Sequence, residues 1–157
     1  MELVIFIGLQ ASGKSTFFNS RLAATHEHIS KDLLRNNKNR AKRQMHLIET
    51  ALQSGRDIVV DNTNPTVEDR AELIQIACQY GAQIVGYYFE SQVSHCLKRN
   101  RQRQGKAQVP DVAIYATIKK LARPSYAEGF HKLFYVRMAG NWDFNVRAWS
   151  DAEVEDG

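Results

Sequence analysis

Residues 8–15, GLQASGKS, constrain this chain more tightly than any other segment. They fit the pattern G-x-x-x-x-G-K-[ST], follow an apolar run at 3–7 and precede a stretch of helical periodicity at 15–24. Strand, glycine loop and helix in that order build a cradle for phosphate oxygens. Gly8 and Gly13 let backbone N–H groups turn inward, and the helix adds its positive N-terminal end. Lys14 is expected to reach the β- and γ-phosphates, with Ala11, Ser12 and Thr16 beside it, and Ser15 to give magnesium a hydroxyl ligand. ATP and Mg2+ are the cofactors this reading implies.

Outward from the loop, the chain alternates short apolar runs with helical patterns. Residues 3–7, 26–30, 57–60, 83–89 and 133–138 read as strands, those other than 26–30 largely apolar. Helices are expected over 15–24, with Phe17, Phe18 and Leu22 inward, and over 40–53, with Met45, Ile48 and Leu52 inward. Asn64 and Pro65 read as a cap and first-turn pair for a helix carrying Val67, Ile74, Ala77 and Tyr80. Ser91 opens another through Val93, Cys96 and Leu97, and Pro110 begins one with Ile114, Ile118 and Leu121. Buried strands separated by helices imply an α/β fold of three layers around a mostly parallel five-stranded sheet. Residues 1–139 form the expected domain, and 140–157 an extension that is either an edge strand or a tail, acidic at its end.

Phosphoryl transfer needs an acceptor-side base and cations near the migrating group. Asp32 follows the second strand, where open α/β sheets place ligands, and Arg35 lies one turn on. Asp32 reads as the base and Arg35 as a clamp on an acceptor phosphate, although spacing alone also allows Asp32 to be a helix cap. Asp61, ending a buried strand, either holds a magnesium-bound water or only fixes the Asn62–Asn64 turn. Arg99 and Arg103, four apart around the run RNRQRQGK, project from one helical face as lid arginines or belong to a solvated basic helix.

The net charge of +4 is unevenly spread. Lys31, Arg35, Lys38, Arg40, Lys42 and Arg43 face one acid, Asp32, and Lys98, Arg99, Arg101, Arg103 and Lys106 face none. Polyanions are the natural partners of such patches. Cys78 and Cys96 lack metal-ligand spacing and are expected to be small buried hydrophobes in a reducing compartment. With no leader-like or membrane-spanning run, the expected location is the cytoplasm, and nothing demands an obligate protein partner. Tyr87 to Phe89 and Trp149 are expected to be core rather than base-stacking surface, as is Trp142.

GLQASGKST, the D-x-x-R of Asp32 and Arg35, VVDNTNP at 59–65, KRNRQRQG with the V-P at 109–110, Arg70 and the P-x-x-x-E-G-F at 124–130 together resemble the polynucleotide 5′-hydroxyl kinases. The resemblance spans residues 1–138 and implies a P-loop kinase fold with an arginine-bearing lid. It implies Lys14 and Ser15 on ATP and magnesium, Asp32 as general base and Arg35 on the acceptor's 3′-phosphate. Arg99 and Arg103 would stabilise the transferred phosphate, and a nucleic-acid 5′-hydroxyl end would be the acceptor. The D-x-D motif of the phosphatase module found in many of these enzymes has no counterpart, so a stand-alone kinase is expected. A small-molecule kinase (sugar, nucleoside or antibiotic) and a regulatory ATP-binding module are the alternative readings.

Overall fold

Alternate residues of the first strand serve two different cores. In a computed structural model that describes residues 1–140 and 143–152, β1 (Glu2–Ile7) sends Leu3, Ile5 and Ile7 one way and Val4 and Phe6 the other. Trp142 and the acidic Glu153, Glu155 and Asp156 lie outside the described residues. The first core receives Ile48 and Leu52 from α2 (Arg40–Gln53) and Leu73, Ile74 and Ala77 from α3 (Val67–Gln79). The second receives Phe17 and Phe18. A strand covered on both faces has no room for polar alternation, which is why 3–7 is apolar at every position.

The other strands are β2 (Glu27–Ile29), β3 (Ile58–Val60), β4 (Gln83–Phe89), β5 (Lys132–Met138) and β6 (Phe144–Ala148). They form one six-stranded sheet in the order β2-β3-β1-β4-β5-β6. The expected five strands run parallel, and β6 joins β5 antiparallel at the edge. Phe144 and Trp149 are buried there, Trp149 stacked on Tyr135 at 5.9 Å. Because β3 and β4 flank β1 on opposite sides, the sheet order reverses at β1, and the crevice past its carboxyl end is where the glycine loop lies.

Four local expectations need correction. The helix expected over 15–24 is α1 (Lys14–Phe17) continued by a π-helical turn over Phe18–Leu22, closed by a hydrogen bond from the Ala23 amide to the Phe18 carbonyl. The wider turn lets consecutive phenylalanines both reach the sheet, where Phe17 meets Phe6 and Phe89 and Phe18 stacks on His28. The cap of α3 is Thr66, whose hydroxyl accepts from the Asp69 amide, so Asn64 and Pro65 precede the helix. Val67, its first residue, is 44% exposed. Cys78 is exposed on the Ala71–Gln75–Cys78 stripe of α3, whereas Cys96 is buried. Arg103 lies beyond the end of α4 (Val93–Arg101), so it does not share a helical face with Arg99. The Pro110 expectation holds, with α5 at Asp111–Lys120.

Candidate active site

The glycine loop is held by bonds from distant parts of the chain. The Gly8 amide donates to the Thr63 carbonyl at 3.0 Å, and the Leu9 amide to the Ser91 hydroxyl at 3.1 Å. Ala11 takes a left-handed backbone, φ 62°, which disfavours a side chain. Its carbonyl accepts from Arg99 Nε at 2.6 Å. Gly13, at φ +99°, stands where a Cβ would come within 2.5 Å of Met138 Cε. Arg99 thus braces the loop backbone from α4, while Arg103 reaches the Ala107 carbonyl at 3.3 Å within its own loop.

Lys14 is buried and donates to the Gly8 and Leu9 carbonyls at 3.1 and 2.6 Å. Burial lowers its ammonium pKa to about 8, against the opposing attraction of the Asp61 carboxylate. Ser15 Oγ donates to Asp61 Oδ2 at 2.8 Å, and His28 Nε2 meets the same oxygen at 2.7 Å. The Asn62–Asn64 turn is fixed by other groups. Asn62 Oδ1 accepts from the Lys31 backbone N–H at 2.9 Å, and Asn64 Nδ2 donates to the Phe6 carbonyl at 2.8 Å.

These residues fit a bound magnesium triphosphate. The Ser15 hydroxyl and Asp61 carboxylate bring two hard oxygen donors together at the start of α1. Ser12 Oγ, inside the loop, is buried without a hydrogen-bond partner among the described residues, as a group built to meet a phosphate oxygen is.

One cleft of about 680 Å³ collects Lys14, Ser15, Asp61, Asp32, Arg35 and Arg103. Asp32 stands on a 3-10 turn over Lys31–Leu34 capped by Ser30, whose hydroxyl accepts from the Asp32 amide at 3.2 Å. The capping task therefore falls to Ser30, and the Asp32 carboxylate makes no hydrogen bond or ion pair among the described residues. Arg35 donates to the Lys106 carbonyl at 3.3 Å, linking this turn to the lid loop. A second cavity, about 430 Å³, adjoins the first between Gly13, Thr16, Arg99, Gln102, Arg103 and Met138. The two arginines border it together despite their different backbones.

Three supports escaped the sequence reading. Asn100, buried at the end of α4, donates to the Val109 carbonyl at 2.7 Å and accepts from the Val109 amide at 3.0 Å, closing the loop that carries Arg103. Arg70 is fully buried, pairs with both Glu128 oxygens at 2.9 and 3.1 Å, and donates to the Asn64 carbonyl at 3.0 Å. His28 orients Asp61. The Asn100 and Arg70 partners sit in motifs already singled out, KRN with V-P and P-x-x-x-E-G-F, but pattern alone did not say that they touch.

Comparison with known proteins bears on the family and the fold. A family profile described as AAA domain matches residues 3–124. A bifunctional polynucleotide phosphatase/kinase of Schizosaccharomyces pombe is 31% identical over 82% of this chain and 32% of its own length. A putative bifunctional polynucleotide phosphatase/kinase of Acanthamoeba polyphaga mimivirus is 30% identical over 84% of this chain and 32% of its own. The chain thus spans about a third of the length of these relatives. Among solved structures, a gluconokinase from Sinorhizobium meliloti 1021 superposes with a TM-score of 0.65 at 18% identity, covering 90% of this chain and 85% of that one, a likeness of fold. No helix among the described residues is long and apolar enough to cross a membrane.

Proposed function

The chain belongs to the AAA-domain family, and from that premise we propose that it is an ATP-dependent kinase that phosphorylates a 5′-hydroxyl end of DNA or RNA. The observation that carries this reading is the Asp32 carboxylate, unpaired among the described residues, in the same cleft as Lys14, Ser15 and Asp61, which Lys31, Arg35, Arg40, Arg103 and Lys106 also line. A regulatory switch has no need of an acceptor base, and a nucleic-acid end brings several phosphates for the cations to meet. The two phosphatase/kinase relatives support the same substrate class.

In the proposed reaction Asp32 takes the proton of the 5′-hydroxyl as its oxygen bonds to the γ-phosphorus. The bond from that phosphorus to the β–γ bridging oxygen breaks, and ADP leaves with the electron pair. Lys14 and Arg103 neutralise charge on the transferred group, while Arg99 holds the loop whose amides bind it. Gly8, Ala11, Ser12, Gly13 and Thr16 line the phosphate path. Ser15, and Asp61 directly or through a water, would hold Mg2+, which would neutralise phosphate charge. Arg35 exchanges the Lys106 carbonyl for a phosphate of the acceptor strand.

Incubation with γ-labelled ATP and a panel of 5′-hydroxyl DNA, 5′-hydroxyl RNA, gluconate and nucleosides tests this. Label is expected at oligonucleotide 5′ ends. Label on a small molecule with none on either oligonucleotide would overturn it.

A further inference from the structure

Beside Lys31 and Asp61, the cleft wall carries an amide whose orientation follows from its neighbours. The Lys31 backbone N–H can only donate, and it lies 2.9 Å from Asn62 Oδ1. The other end of that side chain is therefore the Asn62 amino group, which donates to Gln44 Oε1 at 2.7 Å. With its oxygen committed, Gln44 presents its Nε2 amino group, two donors with no partner among the described residues. Gln44 is 5% exposed and lines the cleft, so its side chain is held in place by packing while the amino group opens into the cleft.

Its surroundings select what it meets. Met45, from α2, and Leu73, from α3, give the same stretch of cleft apolar walls. Asp69 and Glu72, one turn apart on α3, add carboxylates that have no ion pair among the described residues. That pair disfavours a phosphate beside it, while Arg40, one turn before Gln44 on α2, and Lys120 remain for the phosphates of the strand. A planar group with a carbonyl or ring nitrogen beside an amino or imino N–H satisfies all three features: apolar faces, one donor, and carboxylates that accept.

We propose that the cleft between α2 and α3 is a subsite for the terminal nucleobase of the acceptor, with Gln44 Nε2 donating to a base carbonyl or ring nitrogen. The proposal rests on the polynucleotide reading above and adds to it the group that recognises the base. Gln44 then determines specificity for base-bearing ends, while Asp32 handles the hydroxyl.

The test compares two 5′-hydroxyl oligonucleotides that differ only in the terminal residue, one carrying its base and one abasic, with the wild-type protein and Gln44→Glu. Glutamate keeps the shape and still accepts from Asn62, but it replaces the donor by an acceptor. The wild-type protein is expected to show a KM roughly tenfold lower for the base-bearing end. Gln44→Glu adds a negative charge that weighs on both ends alike, so it is expected to raise KM for the base-bearing end by about tenfold or more beyond any rise on the abasic end, and to leave kcat near wild type. Equal wild-type KM values for the two ends, or an equal loss on both in the variant, would overturn the base subsite while leaving the polynucleotide reading intact. Failure of the wild-type protein to phosphorylate either end would overturn both.

Discussion

The two halves of the cleft are built differently. On the donor side nearly every functional group is already engaged: Lys14 with two carbonyls, Ser15 with Asp61, Asp61 with His28, and the Ala11 carbonyl with Arg99. On the acceptor side Asp32 is exposed and unpaired among the described residues, and Arg35 has one long bond at 3.3 Å to a lid carbonyl. The donor half is preorganised for a ligand of fixed shape, whereas the acceptor half keeps its charges available for a substrate that must arrive and leave. Changes on the acceptor side should accordingly cost transfer without costing ATP, and changes in the scaffold should cost the fold before either.

The largest expected effect separates the halves directly. Asp32→Ala should slow phosphoryl transfer by about 100-fold or more, the range of a lost general base, while ATP binding by calorimetry stays near wild type. Loss of ATP binding, or unchanged transfer, would break the division.

Next is the scaffold joining both halves. Glu128→Ala leaves the fully buried Arg70 guanidinium without its carboxylate and should lower stability by about 3–5 kcal/mol in urea unfolding. A loss below about 1 kcal/mol would show that the Asn64 and Ala122 carbonyls hold Arg70 unaided.

Arg103→Ala should reduce transfer by more than about tenfold, with a smaller effect on ATP affinity, because this arginine borders both cavities yet, among the described residues, bonds only within its own loop. An unchanged rate would return it to the solvated surface.

The smallest effect is pH-dependent and belongs to the donor side. With its pKa lowered to about 8, Lys14 loses its proton in the free protein as pH rises past that value. A triphosphate needs the ammonium, so binding above about pH 8 takes up a proton, and affinity falls by up to about tenfold per pH unit until the pKa of the bound state is reached. Below pH 8 Lys14 contributes no such slope. Titration calorimetry at pH 9 in buffers of different ionisation enthalpy reads the proton uptake. An enthalpy independent of buffer would contradict it.

Sequence made the donor half legible because its chemistry is contiguous: one loop, one strand before it and one helix after it. The sheet was legible for a related reason, since burial on both faces leaves an apolar run that periodicity detects. The helix at Arg40–Gln53 emerged with the bounds expected for it. Asn100 and Val109 are only nine apart, and what was missed there is that the two touch; the other supports were not legible because they join residues far apart. Arg70 and Glu128 are 58 positions apart, and Arg99 and Ala11 are 88. Asn64 misled for a local reason. Its type suits a helix cap, but its amide is drawn inward to the Phe6 carbonyl, and Thr66 caps instead. Asp32 was half legible: its place after β2 was readable, but only the Ser30 cap shows that its carboxylate is spared for the cleft.

The central claim is that this cleft transfers phosphate to a 5′-hydroxyl end, and ADP release tests it most directly. ADP formation should be measured with ATP, Mg2+ and one oligonucleotide in two forms, with a 5′-hydroxyl and with a 5′-phosphate. The expected result is ADP forming with the 5′-hydroxyl form until its ends are consumed, and only a background rate with the 5′-phosphate form. Equal ADP release with both forms would contradict the claim.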